Sequence, residues 1–355
     1  MDTGKAGRSP TPASLTSAPA RSHPAPLLAQ ELDEVLSFVR LRQLPHHVRR
    51  VLGLPAARLE DFLIDLPPGE GRRLQAIAEA IRGPVPRPAI FVHGVLPRSG
   101  TNFLADALAL HPDVHAHPGR LWEFPLLYVA PGAAALQREF LFMYGRNREV
   151  VGPYDMLAHL ASGWLLALQA EAGARRILLK SPHVQSLNLF PHVFPHDILV
   201  LCLRDGRDVV QSSFATFERR RLRRKGLGEL AREWRCGTEA IMTFEPGGAN
   251  AYPNAKVVRY EALVQDPEAC MRELLAHAGL DPDAYDFEAL RRLPVRGSST
   301  SASEGGVSWA PLEKPESFQP IGRWRTAWSE RRKRRFKAIA GPSLIRAGYA
   351  TDDSW

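Results

Sequence analysis

The chain has 355 residues, of which 45% are hydrophobic, so it can bury a sizeable globular core. Lys and Arg number 46 against 38 Asp and Glu, and the net charge of +8 favours anionic partners, without separating nucleic acid from a phosphorylated nucleotide. The three cysteines, Cys202, Cys236 and Cys270, are too sparse for a disulfide framework or a zinc spacing.

The N-terminal part of the chain divides into two predicted regions. Residues 1–27 are rich in Pro, Ala, Ser and Thr, and this composition predicts a disordered tail. Residues 28–86 predict a helical N-terminal extension, because Gln30–Leu41 carries helically spaced apolar residues and prolines separate the later pieces. No secretory signal or uncharged membrane-spanning stretch occurs, and sparse cysteines suit a reducing compartment. We therefore expect a cytoplasmic protein.

From residue 87 onward, short apolar runs alternate with helical patterns. Continuous apolar strands that alternate with helices predict a parallel β-sheet flanked by helices on both faces, an α/β domain over residues 87–355. Ligands of such sheets bind at the carboxyl ends of the strands. The four predicted strands are Ala89–Val92, Ile177–Leu179, Ile198–Leu203 and Lys256–Tyr260.

A candidate phosphate loop follows the first strand, in Pro97–Thr101. A loop that enters a helix presents free backbone N–H groups and the positive end of the helix dipole, to which Arg98 adds a cation and Thr101 a hydroxyl. The loop is not a Walker A motif, because Thr101 stands where that motif has lysine after glycine. An ordinary tight turn capped by Ser99 or Thr101 would have the same pattern.

A second candidate phosphate site follows the third strand. Arg204 ends that strand, and Ser212 lies eight residues later on the next predicted helix. A guanidinium and a hydroxyl at this spacing can converge on a phosphate, although surface charge pairing is the alternative and is favoured for Arg207. Two phosphate sites on neighbouring strand ends indicate a nucleotide with phosphates at both ends of its ribose.

Four segments together resemble one enzyme family, the sulfotransferases that use 3'-phosphoadenosine-5'-phosphosulfate (PAPS). PRSGTNF at residues 97–103 resembles their 5'-phosphosulfate loop, and Arg204 to Ser212 resembles their 3'-phosphate site. Tyr260 to Pro267 resembles a Tyr-Glu-x-Leu stretch of the family, and Ile321 to Trp324 its C-terminal Gly-Arg-Trp segment. The four segments also occur in the same order as in the family, from about residue 88 to 350. The resemblance implies a P-loop-NTPase-like sulfotransferase fold.

The resemblance also implies an activity and a set of nucleotide-binding residues. The expected reaction moves the sulfuryl group of PAPS to a hydroxyl or amine and releases 3'-phosphoadenosine-5'-phosphate (PAP). Tyr260 could equally be a core aromatic residue. The residues expected to bind the nucleotide are Arg98, Ser99, Gly100, Thr101 and Asn102 for the 5'-phosphosulfate, Arg204 and Ser212 for the 3'-phosphate, and Arg323 and Tyr260 to complete the site.

Sulfuryl transfer needs charge stabilisation and a base more than covalent catalysis. Lys180 ends the second strand, where a lysine can neutralise the leaving phosphate together with Arg98, and the family has a lysine in a comparable place. Glu123 is the first candidate for the base, because it follows His111-Pro112 and the tyrosine-sulfating branch of the family has an acidic base after a similar His-Pro. Partial burial by Trp122 and Phe124 would strengthen this assignment. His183 is the alternative. His115 and His117 are less favoured than His183 as the base.

Other functions remain open on the sequence alone. A P-loop-like nucleotide kinase or phosphotransferase would share the strand, loop and helix, and a sulfotransferase-like protein without activity would share all the motifs. Basic runs near residues 219–225 and 331–335 are typical of solvated helix faces, so we expect no nucleic-acid partner. We expect no metal, since the histidines are scattered. Neither the acceptor class nor the oligomeric state is indicated.

Overall fold

A computed structural model describes residues 62–85, 87–217, 225–296, 302–303, 306–307, 313 and 319–355. The predicted tail 1–27, the predicted helix Gln30–Leu41 and the rest of the extension up to residue 61 lie outside the described residues.

The central sheet has five parallel strands in the order β2-β3-β1-β4-β5. The four predicted strands and the predicted parallel sheet are confirmed. The strand that the sequence did not reveal, β2, is three residues long and lies at the edge, so it lacks a long apolar run. The strands are β1 (Ile90–Gly94), β2 (Val114–Ala116), β3 (Arg176–Ser181), β4 (Ile198–Leu203) and β5 (Ala255–Arg259), and a separate antiparallel pair joins β6 (Ala302–Ser303) and β7 (Gly306–Val307).

Helices connect these strands and cover the sheet. The helices predicted after the phosphate loop and after the third strand are present as α2 and α6. The helices are α1 (Glu70–Arg82), α2 (Thr101–Leu108), α3 (Ala130–Met143), α4 (Asp155–Ala172), α5 (Phe190–Val193), α6 (Gly206–Phe217), α7 (Leu227–Met242), α8 (Tyr260–Gln265), α9 (Pro267–His277), α10 (Phe287–Arg291), α11 (Trp324–Ala327) and α12 (Glu330–Arg346).

Two apolar clusters lie on opposite faces of the sheet, because side chains alternate along a strand. Ile90 and Val92 of β1 belong to the cluster beneath α2 and α9, whereas Phe91 between them belongs to the cluster beneath α4 and α7. Every residue of β1 and β4 is buried. Cys202 of β4 is part of this core, as its position in an apolar run predicts.

Helix α1 packs on α4 and α5 and is tied to the sheet by a buried ion pair. Asp197, immediately before β4, is fully buried and accepts hydrogen bonds from Arg82 Nη2 at 2.9 Å and from the Ala89 N–H at 2.8 Å. A buried carboxylate needs such partners. The contact therefore fixes where the chain enters β1.

The strand order creates a crevice at the carboxyl end of β1. Strands β3 and β2 lie on one side of β1, and strands β4 and β5 on the other, so the chain fills one side of β1 first and crosses to the other side after β3. Such a switch point is where open parallel sheets bind ligands. The phosphate loop, Lys180 and Arg204 stand at the ends of β1, β3 and β4, around this crevice.

Candidate active site

The phosphate loop after β1 is shaped by its own side chains. The Ser99 hydroxyl donates to the Leu96 carbonyl at 2.7 Å and accepts from the Leu96 N–H at 3.1 Å, and Ser99 is fully buried. Arg98 has a φ of 83° and Gly100 a φ of 98°, both in the left-handed region. This conformation carries the chain into α2, whose first turn has no side-chain cap. The geometry gives Ser99 a role in closing the loop.

Glycine is also the only residue type that fits at position 100. A Cβ atom there would lie 2.2 Å from Cδ2 of the Tyr260 ring. The left-handed φ would strain any other residue further. Tyr260 is buried against the loop, so it is a core aromatic residue that at the same time lines the cleft beside the loop.

The two predicted phosphate sites meet in one cleft. Arg98 Nε donates to the Ser212 hydroxyl at 3.1 Å, and Arg204 Nη1 donates to the Arg98 carbonyl at 2.8 Å. Arg204 Nη2 donates to the Pro320 carbonyl at 2.6 Å, and its guanidinium lies 4.4 Å from the centre of the Tyr260 ring. Two backbone carbonyl oxygens and the Tyr260 ring thus hold Arg204 in place.

Positive charge is concentrated in this donor cleft. Burial, together with the neighbouring guanidinium groups of Arg204 and Arg323, lowers the pKa of Arg98 to about 10. Arg204 Nε is buried and has no hydrogen-bond partner within the described parts of the chain. The cleft, with its open mouth, has a volume of about 600 Å³ and suits a polyanion. It is lined by Arg98, Gly100, Thr101, Asn102, Phe103, Arg204, Ser212, Tyr260, Val295, Arg296, Pro320 and Arg323.

Asp208 holds the Gly-Arg-Trp segment on the donor cleft, a role that sequence reasoning missed. Its carboxylate accepts the Gly322 N–H at 2.6 Å and the Trp324 N–H at 3.3 Å. Burial raises the pKa of Asp208, and these N–H groups oppose the rise. Arg323, which lies between the two bonded residues, is thereby placed on the wall of the cleft. The distance of 114 residues between Asp208 and Gly322 left no signal in the sequence.

Arg207 does form an ion pair, but the pair is buried and not on the surface as predicted. Arg207 Nη2 contacts Asp205 at 2.7 Å, and both side chains are almost completely buried. The guanidinium lies between the rings of Trp324 and Trp355, at 4.1 and 4.5 Å from their centres. The C-terminal segment covers this residue, which explains why the surface interpretation was wrong.

A smaller cleft adjoins the end of β3 and contains Lys180 and Glu123. Their side chains approach to 3.6 Å between Nζ and Oε1. Lys180 is 6% exposed, and burial lowers the pKa of its ammonium, against the influence of Glu123. Its Nζ has no hydrogen-bond partner among the residues that the structure describes. This cleft is lined by Ala105, Asp106, Ala116, His117, Leu121, Trp122, Glu123, Phe124, Leu178, Leu179 and Lys180.

Glu123 is exposed, which removes burial by Trp122 and Phe124 as a reason to favour it as the base. Its side chain is 39% accessible, since Trp122 turns outward beside it. The Phe124 N–H donates to the Lys180 carbonyl at 2.7 Å, which fixes this segment alongside β3. The case for Glu123 as a base therefore depends on its position beside Lys180.

The candidate histidines are less well placed. His183 is half-buried, packs against the Tyr128 ring at 4.5 Å and is absent from the lining of both clefts. Burial, Lys225 and His93 lower the pKa of His183 to about 4. His117 lines the smaller cleft and stacks on Trp122 at 4.8 Å, whereas His115 lies 3.6 Å from Glu171.

Two more residues that the sequence did not reveal connect the clefts. Asp106 of α2 lines the smaller cleft, and its Oδ2 lies 3.0 Å from Nε of Arg296, which lines the donor cleft. Asp106 could have been suspected from its place on the helix after the phosphate loop. Arg296 follows α10 in an irregular segment and carries no such signal.

The described part of the chain has neither a metal-binding group of side chains nor a membrane-spanning helix. No group of His, Cys, Asp and Glu side chains there is arranged to hold a metal ion. None of the helices there combines the length and apolar character needed to cross a bilayer.

The chain is similar to known proteins in sequence and in fold. The chain is 28% identical over 279 residues to protein-tyrosine sulfotransferase 1 of Danio rerio, covering 74% of this chain and 72% of that protein. Among solved structures, it is similar to the sulfotransferase domain of the Synechococcus PCC 7002 olefin synthase (18% identity, TM-score 0.45, 73% and 95% coverage). A mouse sulfotransferase complexed with PAP is also similar (12% identity, TM-score 0.39, 78% and 90% coverage).

These relatives correct the expected location. Protein-tyrosine sulfotransferases are Golgi-resident enzymes, so the prediction of a cytoplasmic protein was wrong. Sparse cysteines and the lack of a recognisable leader in the N-terminal sequence do not specify a compartment.

The profile of the Sulfotransferase family matches residues 88–284, or 197 of the 355 residues. This match covers the phosphate loop, Lys180, Arg204 and Tyr260, and it disfavours the nucleotide-kinase alternative. The chain belongs to the Sulfotransferase family and is an enzyme that transfers sulfuryl groups.

Proposed function

We propose that the sulfuryl donor is PAPS, bound in the donor cleft, and that the acceptor is a hydroxyl compound bound in the smaller cleft. The acceptor oxygen attacks sulfur in line, the bond between sulfur and the 5'-phosphate oxygen breaks, and PAP leaves. The acceptor proton passes to a base. No metal takes part in this scheme.

One observation carries the donor assignment: Arg98, Arg204 and Arg323 converge in a single cleft at the switch point of the sheet. Three guanidinium groups in one cleft suit a ligand that carries phosphates at two positions. ATP has its phosphates in one chain, whereas PAPS has them on both sides of the ribose. Arg98 comes from the loop after β1 and Arg204 from the end of β4, and two anion-binding elements in one cleft favour PAPS.

The residues divide between the two ends of the nucleotide. Arg98, Thr101 and Asn102 at the N-terminus of α2 bind the 5'-phosphosulfate, where N–H groups and the helix dipole favour an anion. Arg204 and Ser212 bind the 3'-phosphate, and Arg323 completes that side. Ser99 and Gly100 shape the loop, and Tyr260 supports it from below.

Lys180 and Glu123 supply the charge and the base. Lys180 is a buried cation with an unused hydrogen-bond donor, which suits the negative charge that develops on the leaving 5'-phosphate. Glu123 is exposed enough to meet an acceptor hydroxyl and close enough to Lys180 to act at the same sulfur. General base catalysis of this kind typically contributes about 10²- to 10⁴-fold to a rate.

A phenolic hydroxyl is the acceptor that we favour. The sequence relatives act, by their names, on protein tyrosine. In this chain the aromatic rings of Trp122, Tyr128 and Trp164 are exposed around the segment that carries Glu123. Aromatic pairs add about 0.5–1.5 kcal/mol beyond the area that they bury, so these rings would favour a phenol over an alcohol or a sugar.

Calorimetric titration with PAP, with ATP as the comparison, tests the donor assignment. We expect PAP to bind more tightly than ATP, and Arg204→Ala to lose about tenfold or more in PAP affinity, since a charged hydrogen bond contributes about 1.5–3 kcal/mol. Arg291→Ala is the matched control, because Arg291 is exposed and pairs only with Glu268 and Glu288 among the described residues. Equal affinity for ATP and PAP would contradict the proposal.

Transfer of radioactive sulfur from PAPS tests the acceptor assignment. The acceptors to compare are a tyrosine peptide, a simple phenol, an aliphatic alcohol and an amine, all at saturating PAPS. We expect the phenols to be turned over fastest. Preference for the alcohol or the amine would leave the donor assignment standing and overturn the acceptor class.

A further inference from the structure

The two clefts meet at a single ion pair. Asp106 lines the smaller cleft, Arg296 lines the donor cleft, and Oδ2 of the first lies 3.0 Å from Nε of the second. A sulfuryl group that leaves a nucleotide in one cleft for an acceptor in the other must cross the boundary that this pair marks. Neither residue has a role in the reaction as described so far.

Asp106 is held where it can orient a cation. It stands on α2, the helix that begins at the phosphate loop, and its side chain is only 14% exposed. Burial raises the pKa of this carboxyl group, and Arg296, His117 and Lys180 oppose the rise. A buried carboxylate of this kind requires a fixed cationic partner, and Arg296 is the one in contact.

Arg296 has its guanidinium group directed toward the reaction region. Its central carbon lies 5.8 Å from the centre of the Trp122 ring, and Lys180 Nζ lies 5.1 Å from the centre of the same ring. Within the described residues, Arg296 has no ion pair other than the one with Asp106 and no hydrogen bond to a carbonyl. Two cations therefore flank one indole at the junction of the clefts.

On the basis of the proposed function, we propose that Arg296 contacts the sulfuryl oxygens during transfer and that Asp106 positions Arg296 for this contact. In the transfer, sulfur exchanges its bond to the 5'-phosphate oxygen for a bond to the acceptor oxygen, and no other bond to sulfur changes. A fixed guanidinium beside the sulfuryl oxygens stabilises charge in the transition state. Lys180 faces the leaving phosphate, so the two cations have separate targets.

The test exploits the difference between PAPS and PAP, because PAP lacks the sulfuryl group. Arg296→Ala should reduce the single-turnover rate at saturating PAPS by about 10²-fold, a typical effect of removing one preorganised donor. PAP affinity should fall far less than the rate, although Arg296 lines the donor cleft. Arg296→Lys should recover part of the rate, since it keeps the charge without the planar fork. Arg296→Gln serves as a second variant if the alanine variant is unstable.

Asp106→Asn tests positioning through a double-mutant cycle. We expect it to lower the rate when Arg296 is present and to have little further effect in the Arg296→Ala background, because its action passes through Arg296. A purely structural role would lower the thermal midpoint and act equally in both backgrounds. Arg291→Ala again controls for the loss of an arginine from an ion pair nearby in the chain.

Three results would overturn the inference: a wild-type rate in Arg296→Ala, an equal loss of PAP affinity and turnover, or an additive effect of Asp106→Asn. The proposed function itself fails in a different way. If the wild-type chain neither binds PAP nor transfers sulfur from PAPS, both proposals fall. If the wild type is active and Arg296→Ala is equally active, only the role of Arg296 falls.

Discussion

The donor cleft and the smaller cleft, which is the acceptor cleft of our proposal, are built by different means. In the donor cleft, buried arginines are held by backbone carbonyls and by the ring of Tyr260, on loops that leave β1, β4 and β5. The acceptor cleft has exposed residues at its edge, and part of its wall comes from the long connection 117–175 between β2 and β3. The donor cleft is lined mainly by polar and charged side chains, and the other cleft is bordered by exposed apolar side chains.

The positions of the exposed apolar residues follow the same contrast between the two clefts. Every large apolar side chain that is exposed in the described part of the chain lies between residues 122 and 166. An apolar surface of this extent commonly marks a binding site. A donor that never varies suits the donor cleft, which is built on loops at the strand ends. The acceptor can differ when the sequence of the connection 117–175 differs, and the sheet is not disturbed. The exposed residues are Trp122, Tyr128, Val129, Leu136, Phe140, Phe142, Met143, Tyr144, Val150, Leu160, Trp164 and Leu166.

The largest effect should come from the base in the acceptor cleft. Glu123→Gln keeps the size of the side chain but removes its ability to accept a proton, so turnover should fall by about 10²- to 10⁴-fold while PAP affinity stays unchanged. His183→Gln is the comparison and should retain activity, since His183 lies outside both clefts. Single-turnover rates with PAPS measure both. A larger loss in His183→Gln would exchange the roles of the two residues.

Lys180 should show its role through the pH dependence of turnover. Burial lowers the pKa of Lys180 below its ordinary value near 10.5, so the cation is lost as the pH rises through that lowered pKa. Turnover should therefore fall on the alkaline side at a pH below 10.5. Lys180→Arg should move this limb upward because arginine stays protonated, and Lys180→Met should reduce turnover by about 10²-fold or more at every pH. An alkaline limb unchanged in Lys180→Arg would contradict the assignment.

Gly100→Ala should damage the donor cleft specifically. The new methyl group would overlap the Tyr260 ring in a backbone conformation with a φ of 98°, at a cost of about 1–3 kcal/mol. PAP affinity should fall by about tenfold or more as the loop shifts. Gly83→Ala is the control, because Gly83 also has a positive φ but has nothing within 4 Å of an added Cβ. Calorimetry and thermal unfolding of both variants separate strain from loss of the site.

The smallest expected effect concerns the apolar border. Trp164 packs on Phe124 at 5.0 Å and is exposed on its other side. Trp164→Ser should raise the KM of a phenolic acceptor by about fivefold, equivalent to about 1 kcal/mol of lost apolar contact, and leave PAP affinity as it is. Met143→Ser, at the far end of α3, should change neither the KM of the acceptor nor the PAP affinity. A matching loss of PAP affinity would mean that the two clefts are not independent.

The sequence by itself determined four of the five strands of the sheet, the phosphate loop and the family. Continuous apolar runs such as Ile198–Leu203 can form only buried strands here, and a loop such as Pro97–Thr101 acts through its own backbone. These features are local, so they can be predicted from neighbouring residues. The side chains at the strand ends, Lys180 and Arg204, followed from the same reasoning.

Only the tertiary structure decided which distant residues meet. It joined Arg98 to Ser212 and Asp106 to Arg296, and it brought Asp208 to the Gly-Arg-Trp segment. It also exposed Glu123 and removed His183 from the clefts. Such contacts depend on strand order and helix packing, which set distances between residues more than one hundred positions apart. No local pattern encodes those distances, because each partner is chemically ordinary until the fold brings the other beside it.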